Sequence, residues 1–243
     1  MRGSISDTMP DDREFRRPQM RDRWLVRAAL VVVVALQLSL HSGFAYGSRW
    51  LAPILEIILL APLVVLSFRA DMIARRAQTS QDWDAATRYR RLNIVLGVAL
   101  LIVVTLANGR SLLLLLRALL GGKPHDGRAL LLDALNVWAT NVIVFSLWYW
   151  QLDRGGPSIG PADHVGRSEF IFPQMTLPPG TVGAEAKPGY VDYLFLSFNT
   201  STAFSPTDTM PLTSRMKLLM MFEAYVSLLT LALVAARAVN ILA

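Results

Sequence analysis

The chain contains no cysteine. That absence excludes disulfides, thiolate metal centres and cysteine nucleophiles. Histidine is scarce: His41, His125 and His164 lie far apart, and no HExxH-type spacing occurs. Ser and Asp are present, but not at a nucleophile–base spacing. No metal, cofactor or catalytic group is therefore expected, and the chain does not read as an enzyme. Charge is also thin, at 17% of 243 residues against 53% hydrophobic. A soluble domain of this length carries more charge and fewer apolar runs. One local absence stands out. Residues Phe198–Thr213, FNTSTAFSPTDTMPLT, are rich in Thr and Ser yet contain no glycine.

What remains are apolar blocks about as long as a bilayer core is thick, ~20 residues at 1.5 Å each. With a mean hydropathy of +0.40, they predict an all-α integral membrane protein whose main partner is the lipid bilayer. The formal charge of +6 does not point to nucleic acid, because the arginines flank the apolar blocks as they do at cytoplasmic ends of membrane helices. A multi-pass protein of the cell (inner) membrane with a cytoplasmic amino terminus is expected.

Residues 1–23 are charged and read as disordered. Apolar blocks follow at about 24–44, 50–68, 92–107, 129–152 and 214–242. The polar stretch 69–91 suits helix. Asn108–Gly109 interrupts the third block, and RSLLLLLRALL follows. One long helix or two spans both fit. Two spans give six crossings. The inside segments 1–23, 69–91 and 121–128 then hold six, six and two Lys or Arg, and the outside segments 45–49 and 153–188 hold one and three. That agrees with the positive-inside rule. The six-span arrangement is the one adopted, with residues 24–122 as a four-helix voltage-sensor-like domain and 123–243 as a pore-like domain. Its loop 153–188 is extracellular. The segment 190–212 is a short re-entrant helix and turn, because ~15 apolar residues are too few to cross. WYW at 148–150 reads as an interfacial aromatic belt, and EFIFPQM at 169–175 as a patch lying on the membrane.

The residues Tyr190–Leu242 resemble the pore helix, filter and inner helix of the voltage-gated-like, potassium-channel superfamily of cation channels. The resemblance rests on an aromatic short helix, a Thr/Ser-rich helix end, Asp208-x-x-Pro211, and Glu223-Ala224 in the last span. Thr202 falls on the family's first filter threonine. Phe204, Ser205, Pro206 and Thr207 replace its V-G-Y-G, and Ser227 stands where many members have a hinge glycine. The chain is also similar to a family of bacterial membrane proteins carrying WYW-x-LDRGGP, F-x-FPQM and TAFSPTDTMPL, a similarity that implies no activity.

A ladder of filter carbonyls needs backbone angles that glycine reaches cheaply. Pro206 fixes its own φ and restricts Ser205. A potassium-type filter is thus not expected. Two readings stay open. In one, Ser201, Thr202, Ser205 and Thr207 offer hydroxyls, and Asp208 forms a carboxylate ring in a homotetramer that passes a monovalent cation. In the other, the segment is a polar turn in a membrane scaffold or accessory subunit. Within the spans, Glu56 is expected to pair with Arg110, with Arg117 on the same helix face. Asp133 is expected to be solvated, and Asn136 and Asn141 to bond between helices. Glu223 either ties the last span to the re-entrant helix or lines a cavity. Arg27 and Arg237 are expected to reach the membrane interface.

Overall fold

The computed structural model describes residues 12–39, 51–76, 80–120, 127–154, 168–178, 180–181, 187–202 and 208–242. Its helices are α1 (Asp12–Ser39), α2 (Leu51–Arg76), α3 (Ser80–Leu120), α4 (Gly127–Arg154), α5 (Tyr190–Thr202) and α6 (Ser214–Leu242). Three stretches are long and apolar enough to cross a membrane: Arg91–Ala118, Gly127–Asp153 and Ser214–Ala236. Trp24–Ser39 and Ile57–Leu66 are shorter apolar stretches.

Helices α1 to α4 run alternately up and down, whereas α5 and α6 both start from the same end. At one end of the bundle, Asp22 Oδ1 accepts the backbone N–H of Tyr190 (3.3 Å), and the ring of Trp24 meets Phe68 edge-on at 6.5 Å. Gly97 lies against Leu63 and Gln151 at the same end. Toward the other end, Asn136 Nδ2 donates to Leu36 O (2.8 Å) and Ser39 Oγ (2.6 Å). The starts of α1, α5 and α6, the end of α2 and the end of α4 therefore share one end.

Several expectations are corrected here. The helix of the amino-terminal region begins at Asp12, ahead of the apolar block. The two spans expected to meet at Asn108–Gly109 are one unbroken helix of 41 residues. A glycine inside a helix costs about 1 kcal/mol. A break in a membrane would leave backbone groups without water, at several kcal/mol each. Asn108 is also used, donating from Nδ2 to Val137 O (3.3 Å) across to α4. An unbroken α3 removes one crossing, and with it the opposite placement of the amino terminus and the 153–188 loop. The Asp22–Tyr190 bond puts the amino-terminal helix and the end of that loop on the same side. If α1 to α4 all cross, a cytoplasmic amino terminus and an extracellular loop cannot both hold.

The packed interior forms mainly around α4. Val33, Leu100, Val104, Phe145, Tyr149 and Leu196 are buried in one cluster. A second cluster, with Leu112, Leu130, Val137 and Leu233, lies nearer the opposite end. The WYW triplet is not a belt. Tyr149 and Trp150 are buried, and Trp148 Nε1 donates to Thr105 Oγ1 on α3 (2.9 Å). Phe170 and Phe172 of the presumed surface patch are buried too, edge-on to Tyr193 at 6.4 and 5.0 Å. Phe170–Ile171 forms strand β1, antiparallel to β2 (Met210–Pro211), with Phe170 opposite Pro211.

Candidate functional site

Each of three helices contributes a polar row on its buried face. On α6, Glu223, Ser227 and Thr230 follow one another at helical spacing and are fully enclosed. On α5, Ser197 and Ser201 are one turn apart. On α4, Asn141 and Tyr149 lie two turns apart on one face, with the Phe145 ring between them. The opposite faces are apolar and exposed: Val191, Phe195 and Phe198 on α5, and Leu218, Met221 and Tyr225 on α6. Helix periodicity thus puts the hydroxyls and the carboxylate into one closed joint.

The joint centres on Glu223. Tyr149 donates its hydroxyl to Oε2, and Ser197 and Ser201 (2.8 Å) approach Oε1. Ser197 Oγ also lies 2.7 Å from Val142 O. One turn further along α6, Asn141 Nδ2 donates to Ser227 Oγ (2.8 Å). A carboxyl shut away from water is costly unless hydrogen bonds or charge compensate it. Here the compensation comes from hydroxyls on two other helices.

A second network fixes the mouth of the joint. Asp153, at the end of α4, accepts from the backbone N–H groups of Glu169 and Phe170 (3.2 Å), from Ser168 Oγ (3.1 Å) and from the Tyr193 hydroxyl. Glu169 accepts from Thr213 and Arg215 at the start of α6, and its backbone carbonyl accepts the Leu212 N–H (2.8 Å). The Arg215 guanidinium bonded to Glu169 lowers that carboxyl from the ordinary glutamate value. Burial pulls the other way, and the Thr213 hydroxyl adds to the lowering.

The expected site residues separate into groups. Glu223, Ser227 and Ser201 come together, and Glu223 does tie α6 to α5. Ser201 is 1% exposed and faces Glu223, so it does not line a shared axis as expected. Thr202 turns its hydroxyl back onto Phe198 O (3.0 Å). Asp208 is exposed. Phe204, Ser205, Pro206 and Thr207 lie outside the described residues, as do the three histidines and the side chains of Glu56 and Arg237. Arg110 and Arg117 are exposed on α3. Asp133 is buried, at 2% exposure, not solvated. Arg27 places its guanidinium over the Phe68 ring at 4.2 Å. Asn136 and Asn141 bond between helices.

Sequence reasoning missed Tyr149 and Ser197. Tyr149 was available as part of a row. It stands eight residues after Asn141, a spacing that puts both on one helix face. No group of three or more His, Asp or Glu side chains suited to a metal ion occurs among the described residues. No family model matches the chain, no curated protein matches it in sequence, and no solved structure matches it in fold.

Proposed function

We propose that the chain is a channel-like protein of the cell membrane in which α4, α5 and α6 form a pore-type module. In this reading α1, α2, α3, α4 and α6 cross the bilayer and α5 re-enters it. One observation carries the reading. α5 starts beside Asp22 and Ser146 and ends where Ser201 meets Glu223, and the chain is back at the mouth by β2. Glu223 stands nine residues into α6, ~14 Å along the helix at 1.5 Å per residue. A short helix that descends that far and returns is a dip, not a crossing.

The dip shares its end with segments 1–23 and 69–91, six Lys or Arg each. The positive-inside rule makes that end cytoplasmic. The module is then inverted relative to the voltage-gated-like channels. Copies associate, with a tetramer as the arrangement the pore layout implies. A monovalent cation enters past Asp208, whose exposed carboxylate favours cations at a pore mouth.

The test is cation flux into proteoliposomes holding the purified protein. The reading expects flux that Asp208→Asn lowers. Absence of flux from confirmed oligomers would transfer the assignment to the second reading, a membrane scaffold or accessory subunit. A specific observation favours that rival. Ser197 and Ser201 both turn inward, and the outward faces of α5 and α6 are apolar.

A further inference from the structure

The joint around Glu223 is one hydrogen short. A close oxygen–oxygen contact is strongest with a hydrogen of its own between its two atoms, and a hydroxyl supplies one. Three such contacts surround Oε1: Ser197 Oγ with Val142 O, Ser197 Oγ with Oε1, and Ser201 Oγ with Oε1. The two serines bring two hydrogens. Tyr149 supplies the hydrogen at Oε2, so it adds nothing at Oε1. No Lys or Arg of the described residues bonds to Glu223. Tyr149 is the one titratable side chain among them that touches it. On α5, Tyr190 bonds to Ser146 (2.8 Å) and Tyr193 to Asp153.

We propose that Glu223 is a proton-binding site inside the membrane: its carboxyl takes up one proton on Oε1 and donates it to Ser197 Oγ. Ser197 then donates its own hydrogen to Val142 O, and Ser201 donates to Oε1. Three contacts have three hydrogens, and the joint carries no net charge. Release of the proton leaves Ser197 one hydrogen for two acceptors, the Glu223 anion and Val142 O, in a site closed to water, and the fastening of α5 onto α4 and α6 weakens. The site thus couples proton occupancy to the seating of the dip. The proposal stands on the joint alone and holds whether or not the protein conducts.

The experiment is infrared spectroscopy of the full chain in lipid vesicles, in sodium-free buffer near neutral pH. A protonated carboxylic acid has a carbonyl stretch well separated from that of a carboxylate. The difference between wild type and Glu223→Gln should show one carboxylic acid per chain. Ser197→Ala, which removes the acceptor of the acid proton, should move that band to higher frequency without abolishing it. No acid band in the difference spectrum would overturn the proposal. So would a band that disappears on adding sodium, which would make the joint a metal-cation site, or a band that Ser197→Ala leaves unmoved. A flux-negative protein that shows the band would sink the pore reading and leave this one standing.

Discussion

Tyr149 on α4 donates its hydroxyl to Glu223 on α6, at a point where neither side chain reaches the surface. The bond joins α4 to α6, and the serines of α5 complete the joint. Packing between membrane helices gains little from apolar burial, because lipid is as apolar as leucine. Polar joints of this kind therefore decide which helices stay together.

Tyr149→Phe should destabilise the protein while leaving its helix content unchanged. It strips Oε2 of its donor at a site without water, a loss of about 1–3 kcal/mol. Thermal unfolding of the purified protein in detergent checks this. An unfolding temperature equal to wild type would mean that the bond carries no weight.

Glu223→Ala should cost more than Glu223→Gln. Alanine leaves the hydroxyls of Tyr149 and Ser201 facing an empty space, and a cavity adds its own penalty of ~24 cal/mol per Å³. Glutamine keeps the shape and one acceptor. The comparison is made by unfolding temperature, and a reversed order contradicts the account of the joint.

The Glu169–Arg215 pair predicts an acid-side effect at the mouth. The folded-state value of Glu169 is depressed, chiefly by the Arg215 hydrogen bond. Its contribution is therefore present above the ordinary glutamate range and is lost as pH falls through the lowered value. Limited proteolysis at Phe170 and Phe172 across an acid series should show faster cleavage at low pH, and Glu169→Gln should be cut fast throughout. Arg215 is largely exposed, at 59%, so solvent screens the pair and the effect is modest.

Asp153→Ala should loosen residues 168–170 at every pH. The carboxylate holds two backbone N–H groups and two hydroxyls. Proteolysis after Phe170 and Phe172 should accelerate while the Glu223 joint persists.

The helices were legible because apolar blocks announce themselves, and α5 emerged at nearly its full extent from its length and its aromatic content. Glu223 and Asn141 were legible as polar residues in apolar runs, which seek partners. Tyr149 was not, because a tyrosine between two tryptophans near a helix end looks interfacial; only the row it makes with Asn141 turns it inward. The Asn108–Gly109 pair misled for a different reason. It breaks helices in polar surroundings, whereas here it lies inside an apolar run and Asn108 bonds to Val137 O across to α4. The side expected for the 153–188 loop followed from that one step. A run of residues does not state whether it forms one helix or two, and each extra crossing reverses everything after it.

The central claim is that α5 dips from the side on which α1 begins. Single cysteines placed at Arg21, Ser205 and Thr207 in this cysteine-free chain test it directly, with an impermeant thiol reagent added to whole cells and then to permeabilised ones. The account predicts that all three react only after permeabilisation. Labelling of the Ser205 and Thr207 positions on intact cells, with the Arg21 position still protected, would contradict it.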